Sequence, residues 1–280
     1  MLKEVLPKEE APIGIFDSGY GGLTVYQEIQ KALPQYDYIY LGDNARAPYG
    51  TRSFNLVYEF TRDAVLKLFS KGCHLVILAC NTASAKALRS IQQNDLPQID
   101  PNRRVLGVIR PTAENISRFT HTNHVGVLAT EGTIQSRSYE LEIGKENPKI
   151  KVSGEACPMW VPLVENKESD GPGADYFVKK YISSLLTKDP AIDAIILGCT
   201  HYPLLEAKIR RYTPPSIQLI SQGELVAESL KDYLERHPEM EVRCRKGGNT
   251  LFYTTEAPER FDDIASHILR KKISSKKLKL

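Results

Sequence analysis

The sequence predicts an α/β protein with a mainly parallel sheet. Three observations lead there. Short β-rich runs alternate with helical patterns along the chain; the 280 residues are enough for one large or two modest domains; and two proline-bearing stretches mark off a middle segment of roughly domain size. In order, Ile13–Ser18 reads as a buried strand and Leu23–Leu33 as a helix. Tyr36–Asp43 reads as a strand, and Phe54–Ser70 as a long helix ending at Gly72. Strand-like His74–Cys80 precedes helix-like Ala83–Gln93. Val105–Ile109 and His124–Thr130 read as strands with helix patterns after each. Ala191–Cys199 is another apolar strand, followed by helical Leu204–Tyr212. Ile217–Ser221, Glu224–Arg236, Leu251–Thr255 and Glu259–Leu269 complete the alternation. The linker candidates are Asp95–Arg103, with Pro97 and Pro101, and Tyr212–Ser216, with Pro214 and Pro215. They predict a discontinuous first α/β domain over residues 1–99 and 214–280, and a second over residues 100–213.

Composition excludes several classes. Hydrophobic residues make up 41% and charged residues 25%, which is ordinary globular content and argues against wholesale disorder. No apolar run approaches the ~18 residues of a membrane span, and Met1–Pro12 is charged with no apolar core of a secretory signal. A cytoplasmic protein is expected. The net charge of +3 resides in the last residues, where Arg270, Lys271, Lys272, Lys276, Lys277 and Lys279 stand without an acid. Without these six, acidic residues outnumber basic ones. A solvated, frayed tail is expected rather than a nucleic-acid surface, since a basic groove would be spread over the fold.

Five cysteines in a chain without a signal argue against a disulfide framework. No C-x-x-C, H-E-x-x-H, G-x-S-x-G or G-x-x-x-x-G-K-[ST] occurs. An internal echo carries more information. Val76-Ile77-Leu78-Ala79-Cys80-Asn81-Thr82 resembles Ile195-Ile196-Leu197-Gly198-Cys199-Thr200-His201. Each cysteine follows an apolar strand and precedes a helix, at the carboxyl end of a strand, where open α/β sheets bind ligands. Burial in a core explains Cys73, Cys157 and Cys244 adequately, but a matched pair at two strand ends poorly. A helix N-terminus after the cysteine is expected to lower its pKa. The period of two in an extended segment would put Cys199 and His201 on one face, so that His201 could take the thiol proton or protonate a substrate. Half of a metal site is an alternative that lacks further soft ligands. A Cys–His hydrolase is another, but it leaves the second thiol unexplained.

Asp17-Ser18-Gly19-Tyr20-Gly21-Gly22, after the first strand, suits close approach of backbone to a ligand. It fails as a dinucleotide fingerprint, because the third glycine position holds Thr24. By itself it reads as a tight turn, with Asp17 a candidate base or base modulator if it faces a thiol. Ala47-Pro48-Tyr49-Gly50, after Leu41-Gly42-Asp43-Asn44, reads alone as a surface turn.

Taken together, the motifs around Asp17, Tyr49–Gly50, Cys80 and Cys199 resemble the glutamate racemase family, nearly end to end. So do Gly126-Val127-Leu128-Ala129-Thr130-Glu131-Gly132-Thr133 and Cys157-Pro158-Met159-Trp160-Val161-Pro162-Leu163-Val164-Glu165. The resemblance implies two similar parallel-sheet α/β domains related by a pseudo-twofold axis, with the active site between them. It implies an isomerase that interconverts L- and D-glutamate without cofactor or metal and supplies this D-amino acid for peptidoglycan synthesis, hence cell wall biogenesis and cell shape. Catalysis would be by two thiols, Cys80 and Cys199, assisted by Asp17 and His201. Substrate contacts map to Asp17, Ser18, Tyr49, Gly50, Asn81, Thr82, Thr200 and His201, with Glu165 a possible accessory. The expected partner is the small-molecule substrate, without membrane or nucleic acid, in a homodimer. The alternatives are an aspartate or other amino-acid racemase of the same superfamily, and a cleft-retaining binding or inhibitory protein. The sequence departs from the family pattern at Arg110 and at Ser221-Gln222-Gly223, and its first eleven residues and lysine-rich tail have no clear counterpart.

Overall fold

The computed structural model describes residues 10–280; most of the segment read above for a leader, Met1–Glu9, lies outside the described residues. Its strands are β1 (Ile13–Asp17), β2 (Tyr38–Gly42), β3 (Leu75–Leu78), β4 (Arg104–Gly107), β5 (His124–Ala129), β6 (Lys151–Ala156), β7 (Ala194–Gly198), β8 (Gln218–Ile220), β9 (Thr250–Thr254) and β10 (Ser275–Lys277). They form two sheets, β10-β9-β2-β1-β3-β4 and β6-β5-β7-β8, in which every neighbouring pair is parallel. The expected α/β class with two similar sheets is what the chain forms. In each half the first four strands take the same order: second, first, third, fourth. β5 is thus the counterpart of β1, and β7 of β3.

Parallel strands are covered by helices on both faces, so they read as continuous apolar runs. Every residue of β1, β2 and β7 is buried. Because side chains alternate, one strand feeds two cores. In β2, Tyr38 and Tyr40 face one apolar layer while Ile39 and Leu41 face the other. In β7, Ile195 and Leu197 separate in the same way from Ala194 and Ile196.

The helix expected at Phe54–Ser70 has those bounds. Ser53 caps its start by accepting from Leu56 N–H. Its end is a Schellman motif: Gly72, at φ +97°, donates to Phe69 C=O and Cys73 donates to Leu68 C=O. This left-handed turn delivers the chain into β3.

The proline-rich stretches do not separate the two sheets. β4 lies inside the segment 100–213, yet pairs with β3; β8 lies inside 214–280, yet pairs with β7. The chain therefore crosses from one sheet to the other after Gly107 and again after Ile220. The reason is local. Pro97 sits in the first turn of a short helix, Leu96–Ile99, and Pro214 and Pro215 lie in the turn between Glu206–Tyr212 and β8. Both mark the ends of elements within one sheet's layer. β6 and the helix Pro172–Lys188 are further elements that the sequence reading left out; β6 is an edge strand with only partly buried side chains.

The lysine-rich tail is also not frayed. Ser275, Lys276 and Lys277 pair with Phe252, Tyr253 and Thr254, and Leu278 N–H donates to Thr254 C=O. Ser275 N–H is bound by Asp262 at 2.8 Å, and Ile273 is buried in the core. The lysines stay in solvent on an edge strand, where charge discourages edge-to-edge association. Truncation after Leu269 is therefore expected to lower the melting temperature by on the order of 5 °C, from loss of about 2 kcal/mol of Ile273 burial. A thermal melt of the truncated chain that matches the full chain would contradict this.

Candidate active site

The carboxyl ends of β1 and β3 meet the carboxyl end of β7. β1 ends on Asp17, whose Oδ2 accepts Gly19 N–H of the following turn at 2.9 Å. Its Oδ1 accepts from the Thr200 hydroxyl of the β7 turn at 3.4 Å. The Thr24 hydroxyl lies 2.9 Å from Gly21 C=O and 3.0 Å from Thr200 C=O, bridging the two turns. Asp17 is fully buried, and burial raises its pKa against the opposing influence of His201 and the backbone N–H groups of Gly19 and Gly22.

Gly21 is what permits this approach. A Cβ at that position would lie 2.4 Å from both Thr200 Oγ1 and His201 Nδ1. Gly22 has a similar constraint against the Asp17 side chain.

Cys80 caps the helix Asn81–Lys86. Its Sγ accepts Ala83 N–H at 3.5 Å and lies 3.4 Å from Ser18 Oγ. The expected depression of its pKa does not occur. Burial pushes the thiol up to about 12, the Asp17 carboxylate adds to the rise, and the Ser18 and Ala83 hydrogen bonds oppose it. A short helix terminus is too weak a dipole to offset complete desolvation. Cys199 is near enough to contribute to that rise.

Cys199 lies just past β7, with its Sγ 3.9 Å from His201 Nδ1. The two residues come together through a turn after Gly198 rather than through strand alternation. His201 Nε2 lies 3.1 Å from Glu165 Oε1, at the end of the helix Trp160–Glu165. Burial opposes protonation of the imidazole, but the Cys199 and Glu165 hydrogen bonds outweigh it and bring its pKa up to about 10. The Glu165 contact leaves Nδ1 toward the thiol, so the histidine is set to accept a proton from Cys199.

The remaining residues complete the interface between the two sheets. Thr82 Oγ1 is 2.9 Å from Thr130 Oγ1, and Gly132 N–H donates to Gly50 C=O at 2.8 Å. Gly50 leaves no room for a Cβ, which would meet Thr130 Cβ at 2.9 Å. Asn81 Oδ1 accepts from the Tyr139 hydroxyl at 2.6 Å, while its Nδ2 is buried with no protein partner. Tyr49 is buried, not on the surface, and its hydroxyl is committed to Asp43, which also accepts from Arg46 and Thr255. Asp43 and Thr130 are site-supporting residues the sequence reading did not single out. Thr130 had a signal: it directly follows β5 as Ser18 follows β1. Among the described residues, no group of three or more His, Cys, Asp or Glu is arranged to hold a metal ion.

The site is closed. Cys80 and Cys199 are 5% and 6% exposed. A cavity of about 570 Å³ opens beside the cluster, lined by Gly50, Arg52, Lys86 and Glu131 among others, and does not reach the thiols.

Two sheets of one strand order thus each carry a buried thiol just past the third strand. Residues 13–230 match the Asp/Glu/hydantoin racemase family, and the chain belongs to it. It is an amino-acid racemase by that membership. Among curated relatives, the glutamate racemase of Ruegeria sp. (strain TM1040) is 43% identical over 272 residues, covering 94% of this chain and 98% of that one. The glutamate racemase of Roseobacter denitrificans is 41% identical over 93% of this chain and 97% of its own. Among solved structures, glutamate racemase isoform RacE1 from Bacillus anthracis superposes with a TM-score of 0.88 at 35% identity, over 97% of this chain and 98% of that one. The Francisella tularensis glutamate racemase, solved with D-glutamate, gives 0.85 at 32% identity, over 96% and 98%. An aspartate racemase from Picrophilus torridus shares the fold alone, at 17% identity and a TM-score of 0.51. No described helix is long and apolar enough to cross a membrane.

Two predictions follow from this geometry. Gly21→Ala must push the two turns apart, and a displacement of about 1 Å is expected to cost on the order of 10²-fold in kcat/KM. Kinetics on the folded variant, checked by circular dichroism, measure this; near-normal turnover would refute it. The second concerns alkaline pH. Burial raises the Cys73, Cys80 and Cys244 thiols to about 12 from an ordinary 9. Each therefore binds its proton more tightly when folded, so this stability is intact below about pH 9 and lost as pH rises toward 12. The urea midpoint, followed under reducing conditions, should fall steadily between pH 9 and 11; a level midpoint would contradict the assignment.

Proposed function

We propose that the protein interconverts L- and D-glutamate by cofactor-independent proton transfer at the α-carbon, with Cys80 and Cys199 as the two bases. The observation that carries this reading is the pair of buried thiols at equivalent third strands of two repeated sheets. Racemisation needs a proton acceptor on one face and a donor on the other, and each thiol reverses its role with direction.

The surroundings of the two thiols suit that division. From L-glutamate, Cys199 removes the α-proton, its own having passed to His201, which Glu165 holds by Nε2. Cys80, whose proton burial retains, delivers one to the opposite face. From D-glutamate the roles exchange, with Asp17 and Ser18 beside Cys80. The α-proton is a poor acid, so the carbanion needs preorganised donors in a dry site. The unpartnered Asn81 amide, the Thr82 and Thr200 hydroxyls and the backbone N–H groups near Ser18 supply candidates for the substrate carboxylates. Gly50 contributes through the wall it forms against Thr130, and Tyr49 through its bond to Asp43 beside it. Since the site is closed, glutamate enters by separation of the two sheets about the crossings after Gly107 and Ile220.

Glutamate rather than aspartate is favoured by relatives above 40% identity that are glutamate racemases. The reading extends to D-glutamate supply for peptidoglycan, a cytoplasmic location, a homodimer, and a domain division that follows the two sheets.

Cys80→Ser and Cys199→Ser are each expected to lower racemisation by at least about 10³-fold, a serine hydroxyl being a far weaker acid than a thiol. In heavy water the wild type should place deuterium at the α-carbon of the newly formed enantiomer. L-Glutamate and L-aspartate are compared by circular dichroism in the same assay. Full activity in either variant, a covalent acyl-cysteine in the mass spectrum, or a strong preference for aspartate would overturn the proposal.

A further inference from the structure

We propose that Tyr139 and Gln222 are positioning residues that decide which end of the Asn81 side-chain amide meets the substrate. The inference rests on Asn81 being a substrate contact, as read above. Asn81, Tyr139 and Gln222 are all buried and joined in a chain. Gln222 Nε2 lies 2.7 Å from the Tyr139 hydroxyl, which lies 2.6 Å from Asn81 Oδ1.

The direction of the chain follows from its far end. Gln222 Nε2 also lies 3.1 Å from Val108 C=O, a group that can only accept. The atom facing it must therefore be the amide nitrogen. Thr112 agrees: its hydroxyl spends its proton on Val108 C=O at 3.1 Å, so it accepts from Gln222 at 2.8 Å. The Gln222 amide then donates to the Tyr139 oxygen, and the single phenolic proton passes on to Asn81. The group that receives it must be the carbonyl oxygen, Oδ1. Both protons of Asn81 Nδ2 are left over, and that nitrogen is buried with no protein partner. An unpaired buried donor is costly, and a substrate carboxylate is an acceptor that would satisfy it.

The polarity has a chemical consequence. If the chain ran the other way, Asn81 would give Nδ2 to Tyr139 and turn Oδ1 toward the substrate, where it would repel a carboxylate. The anchor of the chain lies at both crossings between the sheets: Val108 directly follows β4, Thr112 lies in the helix Ile109–Asn115 that comes next, and Gln222 is two residues past β8. Tyr139 belongs to the helix Ser138–Glu146 that packs beside β6, and Asn81 to the helix after Cys80. The hinge side of the molecule thus sets the hydrogen-bond direction inside the site.

Two variants test this. Tyr139→Phe keeps the ring and leaves Gln222 two other acceptors, but frees Asn81 to rotate. KM for both enantiomers of glutamate should rise about tenfold with kcat within about threefold of wild type, the pattern for lost binding common to ground and transition states. Gln222→Glu makes the direction titratable. Its protonated carboxyl still donates to Tyr139, whereas its carboxylate takes the Tyr139 proton and reverses the chain. The ratio of its KM to that of wild type should therefore climb by about tenfold from pH 6 to pH 9, a trend that a purely structural defect would not produce. Wild-type turnover of glutamate in the same assay tests the reading on which this rests, separately from the variants. A folded Tyr139→Phe protein with KM within twofold of wild type, or a Gln222→Glu ratio flat with pH, would overturn the assignment.

Discussion

The close approach of the turn after β1 to the turn after β7 is the constraint on which the site depends. Gly21 leaves space where any side chain would strike Thr200 and His201 at 2.4 Å. With the turns in contact, Asp17 reaches Thr200, the Thr24 hydroxyl bridges both, and the two thiols lie in one buried cluster. The electrostatics follow from that burial. Charges removed from water influence each other strongly, so Asp17 adds to the rise that burial causes at Cys80, while Cys199 and Glu165 raise the proton affinity of His201.

The two halves share a strand order but not their chemistry. Cys80 and Cys199 occupy equivalent places after the third strand of each sheet, yet their partners differ. Cys80 has a helix N-terminus, a serine and an aspartate; Cys199 has a histidine tethered by a glutamate. The first environment retains a proton on sulfur, and the second offers a base to take one away. In the proposed reaction the repeated scaffold supplies one thiol from each half, and the unlike surroundings are what would prepare them as acid and base. The scaffold reaches this with parallel strands because all carboxyl ends lie on one edge of each sheet, so two sheets facing edge to edge bring several loops to one place.

Much of this was legible in the sequence, and for physical reasons. Strand–helix alternation, the capped and Schellman-terminated helix Phe54–Ser70, the repeated strand-Cys-polar pattern and the glycine-rich turn after β1 are all products of neighbouring residues, and neighbours are what a sequence displays. The motifs around Asp17, Cys80, Cys199 and Glu165 marked the residues that the fold gathers. What lay beyond the sequence depends on partners distant along the chain. The sheet crossings fall after Gly107 and Ile220 because β4 and β8 find strand partners on the near side, which no proline count reveals. The charged tail becomes β10 because the edge of β9 is open to it. The Cys80 thiol is raised rather than lowered because desolvation by both halves outweighs one helix terminus. The bonds from Gln222 through Tyr139 to Asn81 join three separate segments. Local conformation and residue chemistry were determined by the sequence alone; burial, pairing and proton affinity were decided only by tertiary structure, because each is a property of the surroundings rather than of the residue.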